Sequence, residues 1–139
     1  MIYPIVIYGS QVLRNVSEDI TPDYPELKKL IEDMWITLAE AEGVGLAAPQ
    51  IGVHKKVIVV RNGNSFFPMI NPMIIKKSGR KFVNNEGCLS LEGSRNVERF
   101  PTILVSYTDR NGKRVTKTYN GLLSVIVQHE VDHLNGKLI

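Results

Sequence analysis

Two stretches of the chain carry a helical rhythm, and five between them carry an extended one. From about Pro25 to Glu42 the apolar residues Leu27, Leu30, Ile31, Met34, Trp35, Leu38 and Ala39 recur at three- and four-residue intervals. That spacing gathers them on one stripe of a helix. Pro25 suits the first helical position and Gly43 the C-terminal stop. Lys56–Val60 is a β-branched run followed by Asn62-Gly63, a strong hairpin signal. Phe66–Ile75 and Lys81–Asn84 read as extended, with Pro68 and Pro72 predicting edges or irregularities. Thr102–Thr108 alternates, and Asn111-Gly112 turns it into Arg114–Tyr119. A second helix runs from about Gly121 to Asn135 and is closed by Gly136. Its expected buried face is Leu122, Val125, Ile126 and His129–His133, with Leu123 and Val127 flanking. Residues 1–24 are short apolar pieces broken by Pro4, Gly9 and Pro22.

The predicted class is α+β. Antiparallel strands pack around a central C-terminal helix that bears a metal, with one amphipathic N-terminal helix. At 139 residues the chain is expected to form one domain, 1–139, with a core of its own. Hydrophobic residues make up 43% and charged residues 22%, which fits a globular domain and excludes a disordered one. The net charge of +3 is mild and scattered. Its densest cluster, Lys76, Lys77, Arg80 and Lys81, lacks interleaved aromatics. It reads as a solvated face, so no direct nucleic-acid binding is expected. A single cysteine, Cys88, precludes an intrachain disulfide. No apolar run reaches the length of a membrane span and no leader pattern opens the chain. The expected compartment is the cytoplasm, with no membrane contact.

The second helix contains His129-Glu130-Val131-Asp132-His133, a His-Glu-x-x-His pattern. Residues four apart share one helix face, so both imidazoles can reach one metal ion, with Glu130 beside them to move protons. The rival reading is two histidines on a solvated face with an ordinary acid between them. A catalytic site of this kind needs a third ligand. Some families with this pattern place it downstream. Only six residues follow His133, without an acid among them, and Ile139 stands where another group has its third histidine. The third ligand is therefore expected upstream, and Cys88 is the foremost candidate, beside Gly87 in Asn84-Asn85-Glu86-Gly87-Cys88-Leu89-Ser90. A buried inert cysteine remains the competing reading. His54 reads as a surface residue. Asp132 is expected to fix the helix by a hydrogen bond or salt bridge rather than to ligate.

Three segments together resemble the peptide deformylases. Gly43-Val44-Gly45-Leu46-Ala47-Ala48-Pro49-Gln50 is similar to their first motif, Glu86-Gly87-Cys88-Leu89-Ser90 to their second, and Gln128–Gly136 to their third. The first motif also fits a loose dinucleotide fingerprint, but it follows a helix rather than a strand, and Pro49 would break the helix it should open. The resemblance implies a hydrolase that removes the formyl group from the N-terminal methionine of new polypeptides, releasing formate. It implies Cys88, His129 and His133 as metal ligands and Glu130 as general acid/base. Gln50 and the Leu89 backbone N–H would hold the formyl oxygen. Gly45 would meet the substrate, Val44, Leu122, Val125 and Ile126 would line a methionine pocket, and Arg95 would lie near the substrate. Fe(II) is the implied native ion, with Zn, Ni or Co able to occupy the site. The implied partners are formyl-methionyl nascent peptides, with transient proximity to the ribosome. The chain departs from the family where Glu92-Gly93-Ser94 replaces a usual proline, where it stops at Ile139, and around Asn62-Gly63, which looks short. The first departure predicts a more flexible loop beside the substrate. The alternatives are a small metallopeptidase and a catalytically impaired, truncated paralogue that binds metal or peptide.

Overall fold

The computed structural model describes residues 2, 4–5, 16–21 and 24–137, without the side chains of Leu91 and Glu92. Much of the reading of residues 1–24 therefore lies outside the described residues. The elements in order are α1 (Leu27–Glu40), β1 (Gly45–Ala47), a single 3-10 turn (Ala48–Ile51), β2 (Val57–Asn62) and β3 (Ser65–Ser78). Then come β4 (Phe82–Cys88), β5 (Leu91–Arg99), β6 (Thr102–Thr108), β7 (Arg114–Asn120) and α2 (Gly121–Leu134). Strands β1-β2-β3-β6-β7 form one antiparallel sheet in that order, and β4 and β5 form a separate hairpin.

The central strand explains the layers. Val57, Ile58, Val59 and Val60 are all fully buried, so β2 is covered on both faces. Side chains alternate across a strand. Val57 and Val59 accordingly join Leu30, Ile31, Met34 and Leu38 of α1, while Ile58 joins Ile126, Val127, Val131 and Leu134 of α2. The sheet is thus held between the two helices, and α2 is buried nearly all round. Its first two residues, Gly121 and Leu122, are the exception. Leu122 is 71% exposed, whereas Val127, expected only to flank the buried face, is fully buried. The second core cluster draws Ile58, Val60, Ile103 and Val105 onto the sheet-facing side of α2, and that side is centred on Val127.

Local chemistry accounts for the differences in boundary. Pro25 stands two residues ahead of α1 in a turn, and the helix ends at Glu40. Glu42, rather than Gly43, takes the left-handed conformation at φ +57°. The Glu42 and Gly43 N–H groups return to the carbonyls of Ala39 and Leu38, capping the last turn. Asn62 belongs to β2 and pairs with Ser65, so the two-residue hairpin loop begins with Gly63 at φ +66°. Pro72 falls in a register shift between Ile70 and Met73, while Pro68 pairs with β2 at a point where the β6 ladder has not begun. The segment expected as a flexible loop after Leu91 is strand β5, with Gly93 at φ +75° inside it.

The burial pattern separates core from rim. Ile58→Ala is expected to lower unfolding free energy by about 2–5 kcal/mol. Leu122→Ala should stay within about 0.5 kcal/mol of the parent. Denaturant titration of both variants checks this.

Candidate active site

Helix α2 and the β4–β5 hairpin face each other across the site. On β4 the period of two puts Asn84, Glu86 and Cys88 on one face. On α2 the spacing of four puts His129 and His133 on one face. The two faces meet. His129 Nε2 lies 3.2 Å from His133 Nε2, which lies 3.3 Å from Cys88 Sγ. The three donor atoms fall within 4.8 Å of one another. Donors around one ion at about 2.0–2.3 Å would be spaced roughly 3.3–3.6 Å apart.

Protons satisfy such a cluster poorly. Burial alone would lower the pKa of His129, but its hydrogen bonds to Cys88 and Glu86 outweigh burial and raise it to about 10. His133 moves the other way, to about 3, because burial and the neighbouring His129 both disfavour its charge. Two nitrogens and a sulfur turned toward one point match the His/Cys donor set of a divalent metal site.

Behind the donors stands a buried polar frame that sequence reading did not identify. Glu86 Oε1 is 2.7 Å from His129 Nδ1, which leaves Nε2 facing the donor cluster. Arg99 grips Glu86 twice, Nε donating to Oε2 at 2.9 Å and Nη2 to Oε1 at 2.8 Å. Its Nη1 donates to Asp132 Oδ2 at 2.6 Å. Asp132 therefore fixes the helix through a salt bridge, as its place in the motif suggested. Burial raises the pKa of Glu86, but hydrogen bonds from His129, Arg99 and Asn84 overcome it and hold the carboxyl down at about 2. The alternation Asn84-x-Glu86-x-Cys88 was a readable signal for Glu86. Arg99, eleven residues beyond Cys88, left none.

Glu130 points into the same space. It is 4% exposed, and Oε1 has no hydrogen-bond partner among the described residues. Burial raises its pKa to about 7, against the pull of His129 and Arg99. Gln50 sits on the 3-10 turn, 1% exposed. Its Oε1 accepts the Ala47 N–H at 2.9 Å, so its amide nitrogen is the end turned toward Cys88 Sγ, at 3.6 Å, and Ser90 Oγ, at 3.3 Å.

A cavity of about 430 Å³ opens beside these groups. Val44, Gly45, Leu89, Leu122, Val125 and Ile126 form its walls, and Gln50, Cys88, His129 and Glu130 line its floor. Leu122 lies on the rim with Val44, which explains its exposure. Arg95 is not brought to this cavity. It pairs in register with Glu86 on the hairpin and lines a neighbouring depression with Glu98, Phe100 and Gln128.

The family model described as polypeptide deformylase matches residues 2–139. The chain belongs to the peptide deformylase family. It is 41% identical over 144 residues to the peptide deformylase of Karelsulcia muelleri (strain GWSS), covering 99% of this chain and 76% of the relative. The crystal structure of peptide deformylase from Thermotoga maritima superposes with a TM-score of 0.94 at 39% identity, covering 99% of this chain and 95% of that one. A class I type b peptide deformylase from Acinetobacter baumannii, bound to Met-Ala-Ser, superposes with a TM-score of 0.94 at 33% identity, covering 99% and 97%. The α+β fold, with mostly antiparallel strands and two helices, is the deformylase fold. The chain is a hydrolase whose function is deformylation of nascent peptides, and neither the metallopeptidase nor the impaired paralogue is favoured. The deformylase family is metal-dependent, and this chain has a Cys/His/His cluster that could hold an ion.

Gly45 provides a test of the packing around Glu130. A Cβ there would lie 2.8 Å from Glu130 Oε2 and 2.9 Å from Ile126 Cγ2. Gly45→Ala is expected to keep the fold and its metal but to lose roughly 10²-fold or more in kcat/KM, the scale set by a misplaced proton-transfer group. Circular dichroism, metal analysis and formate release on one preparation check all three.

Proposed function

We propose that Cys88, His129 and His133 hold one divalent ion, and that Glu130 carries the proton in hydrolysis of the N-formyl amide of methionyl peptides. One observation carries this reading. A buried carboxylate oxygen without a partner among the described residues stands beside three converging donors, at the floor of an apolar-walled cavity. The bound ion would supply Lewis-acid activation of water and of the formyl group.

The chain's own residues do the rest. Glu130, with a pKa near 7, can take a proton from water and return it to the leaving amine. Gln50 is held as a donor by its bond from Ala47, and its amide N–H suits the developing charge on the formyl oxygen. The Leu89 N–H, at the turn of the β4–β5 hairpin, is the second donor for that oxygen. Val44, Gly45, Leu122, Val125 and Ile126 hold the methionine side chain, and the apolar walls orient it and keep water away. The Met-Ala-Ser bound by the Acinetobacter relative supports a peptide with an N-terminal methionine in this cavity. Arg95 would act near the substrate only through peptide residues that extend beyond the cavity.

Fe(II) is the proposed native ion, since a thiolate with two imidazoles suits it, with Zn, Ni or Co as substitutes. The proposed setting is the cytoplasm, in transient proximity to the ribosome and without direct nucleic-acid contact. Lys76, Lys77, Arg80 and Lys81 are all exposed, which supports their reading as a solvated face. Among the described residues, no helix is long and apolar enough to cross a membrane.

Glu130→Ala should retain the metal yet lose about 10²- to 10⁴-fold of its formate release from N-formyl-Met-Ala-Ser. Undiminished release by that variant would remove Glu130 from the reaction. A metal-loaded parent without turnover would remove the whole reading.

A further inference from the structure

Outside the metal centre, a stacked column of side chains stands behind one wall of the cavity. The Arg61 guanidinium lies over the Trp35 ring at 5.0 Å. Trp35 stacks on Phe66 with centroids 4.6 Å apart and planes 13° apart. Arg110 closes the far end over Phe66 at 4.8 Å, its Nη2 donating to the Phe66 carbonyl at 3.1 Å. The column joins α1, the β2–β3 hairpin and the β6–β7 turn through cation–ring and ring–ring contacts.

Arg61 connects this column to the cavity. Its Nε donates to the Gly43 carbonyl at 2.9 Å, and its backbone N–H donates to the Val44 carbonyl at the same distance. Gly43 and Val44 are wall residues of the cavity, and Val44 is 52% exposed at its mouth. Neither lies in a strand. The sheet ladder begins at Gly45, paired with Val60. The wall therefore has an inner part fixed by the sheet and an outer part whose side-chain anchor is Arg61. Gly43 leaves no room for an anchor of its own, since a Cβ there would lie 2.7 Å from Leu38 Cδ1 and 3.0 Å from Leu89 Cδ1.

We propose that Arg61 is a positioning residue for peptide binding, holding the outer wall through the Gly43 carbonyl while Trp35 keeps the guanidinium flat. The inference rests on reading this cavity as the formyl-peptide site. A guanidinium suits the task because one planar group can stack on a ring and donate sideways, which an ammonium cannot. The wall meets substrate and transition state alike, so its loss acts on KM. Glu130 is untouched, because the residue beneath it, Gly45, stays in the ladder.

The test is steady-state formate release from N-formyl-Met-Ala-Ser by metal-loaded parent, Arg61→Ala, Arg61→Lys and Trp35→Phe proteins, with metal content measured on each. Arg61→Ala and Arg61→Lys are expected to raise KM about three- to tenfold, with kcat within twofold and metal unchanged. Trp35→Phe keeps a flat ring under the guanidinium and should stay within twofold of the parent in KM. An unchanged KM in Arg61→Ala would overturn the proposal. So would a normal KM in Arg61→Lys beside a raised one in Arg61→Ala, since charge alone would then suffice. A fall in kcat or metal content at constant KM would also overturn it, by making Arg61 a general fold or metal-site residue. A parent without turnover would sink the functional reading itself, a result distinct from each of these.

Discussion

The grip of Arg99 on Glu86 and Asp132 is the interaction on which the site depends. The β4–β5 hairpin is not part of the five-stranded sheet, and it carries the sulfur donor. Helix α2 carries the two nitrogens. The guanidinium bonds the hairpin through both Glu86 oxygens and the helix through Asp132. Glu86 then passes the constraint on to His129 Nδ1. One cation thereby sets the distance between the pieces proposed to share an ion. Arg99 is 3% exposed and Glu86 7%, so the pair lies largely out of water. Desolvation offsets most of the attraction of such a pair, and its value lies in the geometry it fixes rather than in net stability.

The rest of the fold makes that geometry rigid. With α1 on one face of the sheet and α2 on the other, β2 gives α2 a flat apolar seat. Gln128 adds a polar latch. Its Oε1 accepts the Phe100 N–H and its Nε2 donates to the Phe100 carbonyl, next to Arg99 in the chain. The last turn is tied by the Ser17 N–H to the Leu134 carbonyl at 2.7 Å and by the Lys137 N–H to the Asp132 carbonyl at 2.9 Å. Helix α2 thus uses different faces for different tasks: Val127, Val131 and Leu134 for the core, and His129, Glu130 and His133 for the proposed chemistry.

Local features of the site and fold were legible because short-range rules govern them. A spacing of four on a helix brought out His129 and His133, and the periodic apolar stripe brought out α1 to within two residues at each end. The Asn111-Gly112 turn and its flanking strands followed from alternation. Other features depend on residues far apart in sequence and were not legible. The pairing of Arg99 with Glu86 spans thirteen positions, and no periodicity marks it. Strand β5 was missed because Glu92-Gly93-Ser94 reads as loop chemistry, while cross-strand pairing with β4 overrides that preference. Periodicity put Leu122 on the buried face of α2, yet it is exposed and lines the cavity, the place the family resemblance implied for it. Arg95 was placed near the substrate by resemblance alone; it stands opposite Glu86 on the hairpin and lines the neighbouring depression.

The central claim is that a thiolate from the hairpin and two imidazoles from the helix share one ion. X-ray absorption spectroscopy on the metal-loaded protein, prepared without oxygen, reads that ligand set directly. The account predicts one sulfur at about 2.3 Å and two imidazole nitrogens at about 2.0–2.1 Å, with remaining positions filled by oxygen. A spectrum without a sulfur neighbour, or with fewer than two imidazoles, would contradict it.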